Sequence, residues 1–208
     1  MLWMATLVAG LVIALVIRLW IVIPGRTPHY ASTSSPRLRR QQPCKTCIFL
    51  GSGGHTAEML QLAQYLDPTR YTPRTYVIAS SDALSASKVH PDESYFIPRA
   101  RHVGQGWISV PWTTLKALLV AFQIIFKTMP DLILCNGPGS CVPICVAAYI
   151  PKILGIHPIQ IIYVESFARV KTLSLTGKLL YLFVDRFLVQ WPELQERYSK
   201  AEYRGILV

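Results

Sequence analysis

Short apolar runs alternate along this chain with stripes of apolar residues at helical spacing. The run Cys47-Ile48-Phe49-Leu50 stops at Gly51-Ser52-Gly53-Gly54-His55. Ala57, Met59, Leu60, Ala63 and Leu66 then share one helix face, so the pattern predicts strand, glycine turn, helix. Residues 75–79 predict a second strand. The polar stretch 80–101, broken by Pro91 and Pro98, holds a short third strand at 95–97. Leu115, Leu118, Leu119, Phe122, Ile125 and Phe126 form a helical stripe that ends before Pro130. A strand at 132–135 runs into a second glycine turn, Asn136-Gly137-Pro138-Gly139, and then a helix at 142–153, where Pro143 is tolerated in the first turn. Residues 159–164 read as a strand buried on both faces. A helix at 175–184, a strand at 187–189 and a short helix at 193–198 follow. Alternating units with such apolar strands predict the α/β class, a doubly wound parallel sheet.

The N-terminus breaks this rhythm. Residues 2–17 carry no charge, and the apolar run continues past Arg18 to Ile23. At ~1.5 Å per residue it crosses a hydrocarbon core of ~30 Å, and Arg18, near one end, can snorkel. No basic region precedes the run and no small-residue cleavage site follows it, so an uncleaved anchor fits better than a signal peptide. Arg18, Arg26, Arg37, Arg39 and Arg40 crowd its C-terminal side. That predicts a single pass with a lumenal N-terminus and everything after residue 23 in the cytosol. Residues 24–43 read as a Pro/Ser/Arg-rich linker and residues 44–208 as the folded domain. The 107–126 segment is a candidate second span, with Lys116 its single charge. Pro111, Thr113, Thr114 and Gln123 favour a core or membrane-facing helix instead.

Composition adds little. The net charge of +10 is juxtamembrane or scattered rather than interleaved with aromatics, which suits an anionic membrane surface or a diphosphate and not nucleic acid. Five cysteines, an odd number, fit a reducing compartment. Cys44-x-x-Cys47 has no second ligand pair, so no metal is expected.

The candidate chemistry lies at three predicted strand ends, which such folds bring to one crevice. At the first, glycines permit a tight turn and close ligand approach. The helix N-terminus after them suits a phosphate. Gly51, Ser52, Gly53, Gly54, His55 and Thr56 are therefore the candidate phosphate-binding loop. His55 there can act as a general base towards a hydroxyl or contact a phosphate. At the second end stand Asn136, Gly137, Gly139 and Ser140; at the third, Glu165 and Ser166. Glu165 is placed as a site carboxylate, or else as a helix cap or ion-pair partner of Arg169. The loop is no P-loop, since no Gly-Lys-Ser/Thr follows it. As a dinucleotide fingerprint it fails twice: Thr56 occupies the third glycine position, and the acid due about 20 residues on is displaced to Asp82.

These strings together, GSGGH at 51–55, LCNGPGSCVPIC at 134–145, YVES at 163–166 and FLVQWPEL at 187–194, behind an N-terminal anchor, are highly specific. The chain resembles the membrane-anchoring subunits of the two-part UDP-N-acetylglucosamine transferase of asparagine-linked glycosylation. The resemblance implies the N-terminal, acceptor-side Rossmann-like half of a GT-B glycosyltransferase, similar to the bacterial transferase of the peptidoglycan lipid precursor. It implies location at the endoplasmic reticulum membrane and no cofactor. The acceptor would be dolichyl-diphosphate-N-acetylglucosamine, which receives a second, β-1,4-linked sugar. UDP-N-acetylglucosamine would be bound mainly by a cytosolic catalytic partner, without which this chain is inactive. Gly51 to Thr56 carry over onto the acceptor's diphosphate and Glu165 into the interdomain cleft, and His55 and Glu165 are the candidate catalytic residues. Two other classes stay open: a membrane scaffold without catalytic residues, and an NAD(P)-binding membrane enzyme. The apolar end of the chain, Tyr203, Ile206, Leu207 and Val208, is expected to be exposed unless a partner covers it.

Overall fold

A computed structural model describes residues 2–24, 42–80, 82–89, 94–100 and 105–207. Most of the linker and Val208 lie outside the described residues. The helices are α1 (Leu2–Val22), α2 (Gly54–Gln64), α3 (Ala83–Ala86), α4 (Val110–Thr128), α5 (Val142–Leu154), α6 (Leu175–Leu180) and α7 (Pro192–Arg197). The strands are β1 (Thr46–Leu50), β2 (Arg74–Ala79), β3 (Ser94–Ile97), β4 (Leu132–Asn136), β5 (Gln160–Val164), β6 (Arg186–Val189) and β7 (Ala201–Tyr203).

All seven strands pair in parallel, in the order β3-β2-β1-β4-β5-β6-β7. The chain runs outward from β1 to β3, then returns to lay β4 beside β1. The switch point therefore falls between β1 and β4, where ligands of doubly wound sheets bind. Both strands are buried at every residue, and the pleat of β1 feeds two cores. Cys47 and Phe49 enter the larger one, packed with Ala117, Ile125 and Ala148 of α4 and α5. Ile48 and Leu50 enter the smaller one, with Met59 and Ala63 of α2. Burial pushes the Cys47 thiol up to about 12, which marks it as a core residue.

Three elements differ from the sequence reading. The helix predicted at 175–184 stops at Leu180, because the backbone tightens there and Asp185 N–H already bonds Ile161 O to start β6. Strand β7 is new. Its three residues lie in a charged stretch with no apolar period, and β6 recruits them through parallel pairing. The end of the chain then folds back. Leu207 packs on the smaller core and donates its N–H to Gln190 Oε1 at 3.2 Å. Leu207 is thus half-buried rather than exposed, while Ile206 remains 58% exposed.

Helix α1 is apolar on all sides, with Trp3, Leu7 and Leu11 exposed, so no single face of it is suited to a globular core. Its C-terminal end docks on α5, where Arg18 Nε donates to Ile153 O at 3.0 Å. Helix α4 buries Ala117, Ala121, Ile124 and Ile125 yet exposes Trp112, Leu115, Leu119 and Phe126 along another face. It is long and apolar enough to cross a membrane, with 22% of that window buried.

Candidate functional site

The β1 and β4 loops lock together through glycines. A Cβ on Gly51 would stand 2.8 Å from both His55 Cβ and Pro138 Cδ. A Cβ on Gly137, whose φ is +77, would stand 2.3 Å from His55 Nδ1. Those two glycines let the imidazole lie flat against the second loop, a packing role. Gly53 and Gly54 serve differently. Gly53 adopts φ 62, ψ −126 as the residue before α2, a region open to glycine. Nothing lies within 4 Å of a Cβ on Gly53 or Gly54. The N–H groups of Thr56 and Ala57 bond Gly53 O. Those of Gly54 and His55 precede any intrahelical acceptor. This is a cradle of free space at the positive end of a helix, the arrangement that binds anions.

Thr56 does not join it. Its side chain is buried behind the loop, donating to Gly51 O and lying 2.6 Å from Ser85 Oγ. Ser85 in turn bonds Asp82. Of the residues expected in the phosphate-binding loop, Thr56 thus turns its hydroxyl away from the cavity. The network braces the loop from beneath, because a buried hydroxyl must find a partner.

In front of the loop lies a cavity of about 470 Å³, lined by Gly54, His55, Glu58, Gly137 and Ser166, with Arg169, Ser174 and Thr176 on the far wall. The three predicted strand ends do converge here, although not every predicted residue reaches the space. Gly137 and Ser166 line it. Asn136 is wholly buried below it, and Ser140 is buried at the start of α5. A Cβ on Gly139 would stand 3.9 Å from Thr176 Oγ1. Ser52 is half-buried in the turn.

Glu165 is also wholly buried. One carboxylate oxygen accepts from Ser174 N–H at 3.0 Å and Ser174 Oγ at 3.1 Å. The other accepts from Ser166 N–H at 3.2 Å. Room for it exists because Gly177 lacks a Cβ, which would lie 2.3 Å from Glu165 Oε2. Burial outweighs these donors and raises its pKa from the ordinary glutamate value. Glu165 therefore pins the 166–174 loop that forms the far wall, and does not face the cavity as expected of a cleft carboxylate.

The acid at the cavity wall is Glu58, which the sequence reading passed over. Its Oε2 accepts from Asn136 Nδ2 at 2.7 Å and its Oε1 from Ser166 Oγ at 3.0 Å. The available signal was spacing: Glu58 stands three residues after His55, on the same side of α2. Arg169, considered only as a partner of Glu165, is exposed at the cavity. His55 Nδ1 is buried with no hydrogen-bond partner among the described residues. Its remaining polar atom, Nε2, is the one left for a ligand. No three His, Cys, Asp or Glu side chains converge as metal ligands among the described residues.

The solved structures similar to this chain share its fold at low identity. Acinetobacter baumannii MurG matches with a TM-score of 0.59 at 19% identity, over 77% of this chain and 45% of that one. UDP-N-acetylglucosamine 2-epimerase from Rickettsia bellii matches with a TM-score of 0.57 at 13% identity, over 80% and 46%. The chain spans under half the length of these proteins. Curated relatives match over nearly their whole length. The Rattus norvegicus protein named UDP-N-acetylglucosamine transferase subunit ALG14 is 44% identical over 99% of this chain and 97% of its own. The Schizosaccharomyces pombe protein of that name is 45% identical over 94% and 96%, and the Homo sapiens protein 40% over 99% and 97%. With residues 46–207 matching the family model described as oligosaccharide biosynthesis protein Alg14 like, the chain belongs to the Alg14 family.

Proposed function

We propose that this chain is the membrane-anchored, acceptor-binding half of a two-chain glycosyltransferase at the endoplasmic reticulum. Its partner carries UDP-N-acetylglucosamine from the cytosolic side. The assembly adds a second N-acetylglucosamine, β-1,4-linked, to dolichyl-diphosphate-N-acetylglucosamine. One observation carries this reading. At the switch point, a helix N-terminus with open space above Gly53 and Gly54 faces a cavity that also holds His55 and Arg169. Those groups suit a diphosphate. The names of the relatives supply the donor and the word subunit. In this reading His55 meets the diphosphate through Nε2, since its other nitrogen is closed off by Gly137. Glu165 acts by position, holding the loop that carries Arg169. The test is transfer by the two-chain assembly, read by mass spectrometry of the lipid product. Addition of one sugar to the diphosphate-linked acceptor is expected. Transfer to dolichyl phosphate instead, or none to either, would overturn the reading.

The anchor is α1, oriented by the arginines that follow it. The exposed apolar face of α4 lies against the same membrane. Deleting residues 1–23 is expected to release most of the chain, and its partner with it, from membranes washed with carbonate and high salt. Retention of most of the truncated protein would transfer the anchoring role to α4.

The partner interface includes the outer edge of the sheet at β7 with Tyr203, and the exposed Ile206 beyond it; Leu207 and Val208 belong to the same terminal segment. Ile206→Asp is expected to abolish co-purification of the partner without lowering the melting temperature. Truncation is a poorer test, because Leu207 packs on the core. Unchanged complex formation by the Ile206 variant would remove this interface.

A further inference from the structure

Glu165, just past β5, and Glu58, on α2, both stand beside the cavity, and of the two only Glu58 lines it. Glu165 is sealed beneath the 166–174 loop. Glu58 is the one carboxylate among the cavity-lining residues. It is held from two sides, by Asn136 at the end of β4 and by Ser166 just past β5. Each of its oxygens receives one of these donors and keeps another lone pair unused. A side chain fixed by such supports is preorganised for contact with a ligand.

Its chemistry also separates it from the diphosphate subsite. A carboxylate repels phosphate, so Glu58 has no business with the anion that Gly54, His55 and Arg169 suit. A carboxylate is acceptor-only and wants a hydroxyl. Glu58 lies three residues beyond His55, roughly 4.5 Å along the helix at ~1.5 Å per residue. A sugar carried by a diphosphate at the helix end therefore comes alongside Glu58.

We propose that Glu58 accepts the proton of the attacking sugar hydroxyl, an inference that rests on the acceptor-binding reading above. In the step, the hydroxyl oxygen bonds to the anomeric carbon of the donor sugar. The bond from that carbon to the nucleotide's diphosphate oxygen breaks, and its electron pair leaves with the nucleoside diphosphate. The hydroxyl proton passes to a Glu58 carboxylate oxygen. Asn136 and Ser166 are positioning residues, since they touch the carboxylate and not the reacting atoms.

Glu58→Gln is the informative variant because it can keep the supports. The amide oxygen accepts from Asn136 Nδ2, and the amide N–H donates to Ser166 Oγ, a hydroxyl that can equally accept. Assembled with its wild-type partner and checked by gel filtration, this variant is expected to lose about 10²–10⁴ in kcat. The acceptor KM should change little. Near-normal kcat, or an effect confined to acceptor KM, overturns the proposal, the latter by reducing Glu58 to a sugar contact. Should Glu58→Gln lower the melting temperature of the complex, Glu58→Ala with added formate decides the matter. A small carboxylate restores turnover only where a proton acceptor is missing, and no restoration overturns the proposal. Wild-type turnover with an unimpaired Glu58→Gln removes this inference alone. A wild-type complex that transfers nothing to dolichyl-diphosphate-N-acetylglucosamine removes the acceptor reading itself.

Discussion

Purified without its partner, this chain is expected to transfer no detectable sugar from UDP-N-acetylglucosamine, and to gain full activity when the partner is added. The cavity's polar groups come from the C-terminal edge of a single parallel sheet and the loops that follow it. As a dinucleotide fingerprint the glycine turn fails, since Thr56 occupies the third glycine position and its hydroxyl donates to Gly51 O. A transferase must hold both reactants in line, and that positioning is worth about 7–11 kcal/mol. A chain that holds only the acceptor forfeits most of it, which puts turnover below detection. The measurement uses detergent-solubilised chain, labelled donor and dolichyl-diphosphate-N-acetylglucosamine, with and without partner. Labelled product from the single chain, shown free of partner, would refute the division of labour.

The second large effect is expected at the contact between His55 and Gly137. On the reading that His55 meets the acceptor's diphosphate, His55→Ala is expected to cost about 1.5–3 kcal/mol, or roughly 10- to 150-fold in kcat/KM, most of it in acceptor KM. Gly137→Ala should do similar damage without touching the histidine. Its methyl would sit 2.3 Å from Nδ1, on a backbone at φ +77. The ring must leave, and the left-handed conformation costs a further ~1–2 kcal/mol. Because both substitutions act through one imidazole, the double variant should be little worse than the worse single one. Co-purification of the partner should survive in each. Wild-type kinetics in His55→Ala would remove His55 from the diphosphate site.

Much of this was legible in the residues. The apolar runs at β1, β4 and β5 are long enough and pure enough to be read as strands buried on both faces. The glycine turns after β1 and β4 mark themselves. The stripe from Leu115 to Phe126 announces α4 but not its surroundings: half of it packs on the sheet and half is bare. β7 was illegible because Ala201-Glu202-Tyr203 has neither length nor period, and owes its conformation to β6 alone. Glu58 was overlooked because a charged residue off the apolar face of a helix looks like a solvated one. Glu165 was over-read because it directly follows a buried strand, where either an outward or an inward turn is possible.

The sequence by itself determined the strand–helix rhythm, the apolar N-terminal helix and the glycines that make two tight turns, since each depends on periodicity or on conformations open to few residues. The tertiary structure alone decided which side chains face the cavity. Laying β4 beside β1 presses Gly137 onto the ring of His55 and swings Asn136 and Ser166 onto Glu58. The 166–174 loop closes over Glu165, leaving Arg169 outside. Burial and hydrogen-bond partnership arise between segments far apart in the chain, and for that reason no local pattern could distinguish the acid that faces the cavity from the acid that holds its wall.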